Sequence, residues 1–189
     1  MALREPNAKK HKYSPEDRLF LDANIWLHVF GPQGSSQDQR SKSYSIALKR
    51  ALNANSNIYI DVLVMSEYLN RSLRYHFDEA GLPGGNFKKY RDTHEYEAAV
   101  RAVTSQAKQF LRHCKLVESD FTQCDPMQMM TDFAQTPSDF NDEIIIKLCC
   151  RHGFTLMTDD GDFINSGLNI LSCNSAYLSR ASNFTTNSD

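Results

Sequence analysis

The chain has 189 residues, 41% of them hydrophobic and 23% charged, and a net charge of -2 at pH 7. That length suits one domain with a full core, and the composition excludes both a disordered and a fibrous class. The near-neutral balance excludes a surface coated in positive charge, while leaving room for a local basic patch of the kind that phosphate contact requires.

The stretch MALREPNAKKHKYSPEDR at the start is polar and basic and reads as an N-terminal arm over residues 1–17. It does not resemble a secretory signal, and no apolar run approaches the roughly 20 residues of a membrane span, so no membrane association and a cytoplasmic location are expected. DRLFLDANIW follows, with a buried strand over Leu19 to Leu21 that stops at Asp22. Gly31 to Lys42 is rich in chain breakers and reads as a loop, and SYSIALKRALNAN after it has helical period, with Ile46, Leu48, Ala51 and Leu52 as core candidates. A second strand, Ile58 to Ile60, runs into a helix that carries Glu67. Pro83, Gly84 and Gly85 form the clearest break, and Lys88 to Arg112 favours one long helix within a helical elaboration at about 74–113. Lys115 to Val117 reads as a short strand, followed by a short helix. A long helix then opens with Thr136 as N-cap and Pro137 at its first position and closes at Gly153. FTLMT and LNILS are two further buried strands, and residues 181–189 are a C-terminal tail.

Strand followed by helix, repeated through most of residues 18–180, predicts a single α/β domain with a parallel sheet covered on both faces. The five cysteines are odd in number and lack CxxC spacing, which excludes a disulfide framework and a zinc ribbon and leaves reduced core thiols. The six histidines show neither HxxxH nor HExxH spacing, so a zinc hydrolase is excluded as well. Trp26, Phe30 and Tyr68 are expected in the core.

Ligands of parallel sheets bind beyond the carboxyl ends of the strands, and the acidic residues fall there. Asp22 ends the first strand, Glu67 follows the second, and Asp159 and Asp160 follow FTLMT. Asp22, Glu67, Asp142 and Asp160 would each bring a carboxylate to one rim, with Asp139 and Asp162 near enough to join, and they would repel one another unless a cation neutralised them. Ligands that are all oxygen select Mg2+ or Mn2+ over zinc. Each residue also has a plainer reading. Asp139 suits a helix N-terminus, Asp22 a turn, Glu67 a solvated helix face, TDDGDF a turn, and Asn24 and Ser66 local hydrogen bonding.

Taken together, FLDANIW, MSEYL and DFNDEIIIKLCCRHGFTLMTDDGDF resemble the motifs of the PIN-domain ribonucleases, in the family's order. The resemblance implies a three-layer α/β/α fold with a central parallel sheet of about four or five strands. It also implies a Mg2+- or Mn2+-dependent endoribonuclease, often the toxin of a toxin-antitoxin pair, with RNA as substrate, an antitoxin as partner and a homodimer as assembly. The family's metal-binding acids carry over to Asp22, Glu67, Asp142 and Asp160, and Asp162 and Thr158 match the last motif. Asn24, Ser66 and Thr158 are then candidates for orienting the ligands.

Arg71 and Arg74, on the helix of Glu67, and Lys88, Lys89 and Arg91 are the first candidates for RNA contact, with a solvated helix face as the alternative. Tyr75, Phe77, Phe87 and Tyr90 interleave with them, which suits either base stacking or a seat for a protein partner. A module that binds RNA or protein with little catalysis is the competing function. A haloacid-dehalogenase-like phosphatase would need an Asp two residues after Asp22, where Asn24 stands.

Overall fold

Five strands form one parallel sheet: β1 (Arg18–Leu21), β2 (Asn57–Ile60), β3 (Cys114–Leu116), β4 (Thr155–Met157) and β5 (Ile170–Leu171). The computed structural model describes residues 6–32, 34, 38–81, 85–135 and 139–186, the side chains of 182–186 excepted. The strand order is β3-β2-β1-β4-β5, so the chain steps outward from β1 to β3 on one side and returns to the centre to build β4 and β5 on the other. The order reverses between β1 and β4, which makes the crevice above their carboxyl ends the natural ligand site.

Leu19, Phe20 and Leu21 are wholly buried, as are Leu156 and Met157 beside them. Consecutive buried residues on a strand mean that both of its faces are covered, which is the three-layer α/β/α arrangement expected. The helices that cover them are α1 (Ala23–Phe30), α2 (Gln39–Asn53), α3 (Val62–Glu79), α4 (Phe87–Tyr90), α5 (His94–Leu111), α6 (Pro126–Phe133), α7 (Phe140–His152) and α8 (Ser175–Thr186). Trp26 of α1 stacks on Phe110 of α5 with ring centroids 4.4 Å apart, and Tyr68 of α3 meets Phe110 edge-on at 5.0 Å. Offset and edge-to-face rings of this kind tie three helices to one point of the core.

Several local expectations change. The loop expected to run to Lys42 ends at Asp38, which caps α2 by accepting from the Ser41 N–H and hydroxyl, both at 2.8 Å. Ile46 is exposed instead of core, because the inward face of α2 is carried by Tyr44, Ala47, Leu48 and Ala51. The single helix expected from Lys88 to Arg112 is two. Thr93 breaks it, its hydroxyl donating to the Tyr90 carbonyl at 2.8 Å and accepting from the Tyr96 N–H at 3.2 Å, a use of Thr that competes with helix continuation. Helix α7 is capped by Asp139, which accepts from the Asn141 N–H at 3.2 Å. Thr136 and Pro137, expected at that helix start, lie outside the described residues, as do Pro83 and Gly84. Gly153 does close α7, in the left-handed region (φ 63°) that glycine enters without steric cost.

All five cysteines are free, but only Cys149 is fully buried and Cys150 is exposed, so the expectation of core thiols holds for one of them. Residues 6–17, read as an arm, pack on the body. Asn7 bridges to Ser172 beside β5, Ala8 is buried, and His11 meets Asp17 at 3.2 Å inside the protein. Helix α8 extends to Thr186, into the stretch read as a tail. Among the described residues no helix is long and apolar enough to cross a membrane.

Candidate active site

Leu21 pairs with Met157, so the next residues, Asp22 and Thr158, leave their strands side by side at the point where the strand order reverses. The Asp22 N–H still donates to the Met157 carbonyl at 3.0 Å. Its carboxylate is 6% exposed and accepts from the Thr158 hydroxyl at 2.7 Å and from the Asn24 side-chain amide at 2.6 Å. Asn24 also donates to the Thr158 hydroxyl at 3.1 Å and, through its carbonyl oxygen, accepts from the Asp159 N–H at 3.1 Å. Asn24 and Thr158 thus fix the orientation of Asp22. Ser66 does something else: it is exposed and accepts from Asn70 of its own helix at 3.3 Å.

Three other acids stand near Asp22 on separate segments. Asp142 sits in the first turn of α7, Glu67 on the second turn of α3, and Asp160 just after β4. Burial, opposed by the Thr158 hydrogen bond and reinforced by the charges of Glu67 and Asp160, pushes the Asp22 carboxyl up to about 6. Burial first, and then the charges of Asp22, Asp160, Asp139 and Glu67, push Asp142 up to about 7. These five carboxylates therefore lie within electrostatic reach of one another. Asp162 joins through its backbone, its N–H donating to the Asp160 carboxylate at 2.9 Å. Glu67 accepts from Arg71 at 3.0 Å, one turn along α3. Among the described residues no three His, Cys, Asp or Glu side chains close on one point.

The donor set is entirely oxygen, and so suits a hard divalent cation. Asp22, Glu67, Asp142 and Asp160 are the residues that would hold it.

Of the cations proposed for RNA contact, Arg71 is paired with Glu67, and Arg74 and Arg91 lie over the Phe87 ring, at 4.9 and 5.2 Å from its centroid. Lys88 and Lys89 are exposed on α4. The aromatic residues pack against one another: Phe77, Tyr90 and Tyr96 surround Phe87, and Tyr90 is buried. Tyr90 is a core ring of this lobe and offers no open face to a base.

Asp61 went unnamed in the sequence, and Asp159, named there among the strand-end acids, takes a different place. Asp61 ends β2 and caps α3, accepting from the Val64 N–H at 2.9 Å, while its second oxygen is buried with no partner among the described residues. Asp159, next to Asp160, points the opposite way, into a set of donors on α1 and α2. Asp61 follows β2 as Asp22 follows β1, an acid at a strand end. For the inward place of Asp159 there was no clue, since its partners lie more than a hundred residues earlier.

A family model for the PIN domain matches residues 19–167. The chain belongs to the PIN domain family. PIN domains are generally nucleases and typically use divalent metals, which agrees with the resemblance read from the motifs. Among solved structures, the PIN domain chain is similar to the crystal structure of VapBC2 from Rickettsia felis bound to a DNA fragment from their promoter, with 17% identity and a TM-score of 0.50 over 82% of this chain and 96% of that one. That likeness is one of fold. The crystal structure of PAE2754 from Pyrobaculum aerophilum is similar at 14% identity and a TM-score of 0.48, over 88% of this chain and 90% of that one. No curated protein sequence matches this PIN domain significantly.

Proposed function

We propose that the protein is a Mg2+- or Mn2+-dependent endoribonuclease that hydrolyses RNA phosphodiester bonds at the rim formed by Asp22, Glu67, Asp142 and Asp160. The observation that carries the reading is the gathering of Asp22, Glu67, Asp139 and Asp160 about Asp142, whose carboxyl burial first, and then the charges of those four acids, push up to about 7. A bound divalent cation would supply a water of lowered pKa and stabilise charge developing on the phosphate. Asn24 and Thr158 hold the Asp22 carboxylate in a fixed direction. One carboxylate of the rim would help to take the proton of the attacking water. Arg71, released from Glu67, and Lys88 and Lys89 are available to the phosphates of single-stranded RNA, with Arg74 and Arg91 held nearby by Phe87.

The same reading includes an antitoxin protein and a homodimer. The fold likeness to the VapBC2 structure supports the antitoxin, which would have to keep RNA from the rim. The Glu67–Arg71 ion pair favours one second reading, a PIN-like module that binds RNA or protein without cleaving it, since a ligand already paired with Arg71 is withdrawn from a metal.

Cleavage of a mixed panel of single-stranded and structured RNAs, with Mg2+, with Mn2+ and with EDTA, separates the two. The nuclease predicts cleavage that EDTA abolishes and that Asp142→Asn removes. Retained RNA binding with no cleavage under any condition would establish the binding module instead.

A further inference from the structure

The turn after β4 carries two adjacent aspartates with opposite surroundings. Asp160 faces solvent at the acidic rim, whereas Asp159 is 9% exposed. One Asp159 carboxylate oxygen accepts from the Tyr44 hydroxyl at 2.7 Å, and the other accepts from Arg40 at 2.9 Å and lies 3.4 Å from the His28 Nε2. The grip continues through the backbone. Tyr44 reaches the Thr158 carbonyl at 3.2 Å, and Asn174 donates to the Asp159 carbonyl at 2.8 Å. The Tyr44 oxygen in turn accepts from the Cys173 N–H at 3.0 Å and meets the Ser172 hydroxyl at 3.2 Å, beyond β5. His28 stacks on the Tyr44 ring, with centroids 5.4 Å apart, and its Nδ1 lies 3.9 Å from Asp38, so the ring is held from three directions.

Consecutive polar groups of Thr158 and Asp159 are therefore bonded to α1, α2 and the segment after β5, and Asp160 is held next to them by its N–H to the Thr158 hydroxyl at 3.0 Å. The same hydroxyl is the one that Asp22 accepts from. With Asp159 fixed inward and the Asp160 N–H tied back to the Thr158 hydroxyl, the bend at Asp159 leaves Asp160 on the exposed side, toward the rim.

We propose that Asp159 is a positioning residue: its carboxylate, clasped by Tyr44, Arg40 and His28, sets the turn so that Thr158 and Asp160 face Asp22, which with Asp160 would hold a divalent cation. The inference rests on the metal-dependent reading above. Outer groups that orient metal ligands change affinity by about 10- to 100-fold when they are lost.

The test is Mn2+ affinity of the purified full chain, measured by calorimetry and by electron paramagnetic resonance of free Mn2+, together with amide hydrogen exchange of the Mn2+-free protein. Asp159→Ala removes the clasp, Asp159→Asn keeps an acceptor for Tyr44, and Arg40→Gln alters a side chain that is mostly exposed and leaves the core untouched. Asp160→Asn is the control for a direct ligand.

The expected result is Mn2+ binding weakened about 10-fold or more by Asp159→Ala, less by Asp159→Asn and Arg40→Gln, with faster exchange confined to residues 158–160. Should Asp159→Ala fail to fold, the graded pair of Asp159→Asn and Arg40→Gln carries the same comparison. Wild-type binding with unchanged Mn2+ affinity in the folded Asp159 and Arg40 variants overturns the inference and leaves the nuclease reading intact. Absence of Mn2+ binding by the wild type overturns both.

Discussion

The acids at the top of the sheet fall into two groups with opposite surroundings. Asp159 has a hydroxyl, a guanidinium and an imidazole around it, and although burial raises its carboxyl, those hydrogen bonds and the Arg40 charge hold it below the usual carboxylate range. Asp22 and Asp142 are also withdrawn from water, yet they have other carboxylates for neighbours and are pushed up to about 6 and about 7. The difference lies in compensation, since all three are desolvated. A buried charge whose partners are built into the fold belongs to the architecture, while one left uncompensated by the fold is suited to a positive charge that arrives from outside.

The largest effect that would break this comparison is on chemistry. Asp142→Asn is expected to lower RNA cleavage by on the order of 1000-fold, equivalent to about 4 kcal/mol of transition-state stabilisation, as read from initial rates at saturating Mg2+. Retention of wild-type rates would place Asp142 outside the active rim. Its effect on stability should have the opposite sign: removing one of several like charges stabilises the metal-free protein at pH 8 by about 1 kcal/mol, measurable by urea unfolding.

Next in size is the compensated region. Tyr44→Phe deletes a hydroxyl that serves Asp159, the Thr158 carbonyl, Ser172 and the Cys173 N–H. Leaving those buried groups short of a partner is expected to cost about 2 kcal/mol, with no gain at any pH.

The two regions also titrate with opposite sign. Asp22 and Asp142 bind a proton more tightly folded than unfolded, so the folded state holds more protons between about pH 4 and pH 7 and loses stability as pH rises through that window. Asp159, lowered by its partners, contributes stability that is present above about pH 4 and lost as pH falls further. Thermal unfolding of the metal-free protein from pH 3 to 8 should therefore show an optimum near the lower boundary of the window. Mg2+ should raise the midpoint at pH 7 and leave it unchanged at pH 4. A midpoint that climbs steadily to pH 8 without metal would contradict the assignment.

The smallest effect concerns the Glu67–Arg71 pair on the surface of α3, where Arg71→Ala should change stability by less than about 1 kcal/mol. Its readout is Mn2+ affinity: freeing Glu67 from Arg71 should leave binding as tight or tighter, and a loss would give Arg71 a different role.

Much of this was legible in the sequence because it depends on local signals. The apolar run before Asp22, the run before Thr158 and Gly153 after Cys150 mark strand and helix ends by composition alone, and the strand-end acids follow from them. Leu48 and Ala51 of α2 are buried and Leu52 packs on the core as expected, and only Ile46 misled, its apolar side chain lying on the outer face while Tyr44 and Ala47 point inward. The start of α7 was placed at Thr136 and Pro137, residues with strong N-terminal preference, whereas the carboxylate of Asp139 caps the described helix. Thr93 was hidden inside a segment of good helix formers. The Asp159 clasp joins residues 115 and 119 positions apart, and no periodicity within one element encodes such a pairing; only the return of β4 to the side of β1 brings it about.

Carbon-13 titration of the aspartate carboxyls, with and without Mg2+, tests most directly whether the rim is an uncompensated site for a cation. The account predicts midpoints near 6 for Asp22 and near 7 for Asp142 in the metal-free protein, both falling by about a unit or more when Mg2+ is added, with Asp159 titrating low in either condition. Midpoints near the ordinary value of about 4 for Asp22 and Asp142, indifferent to Mg2+, would contradict it.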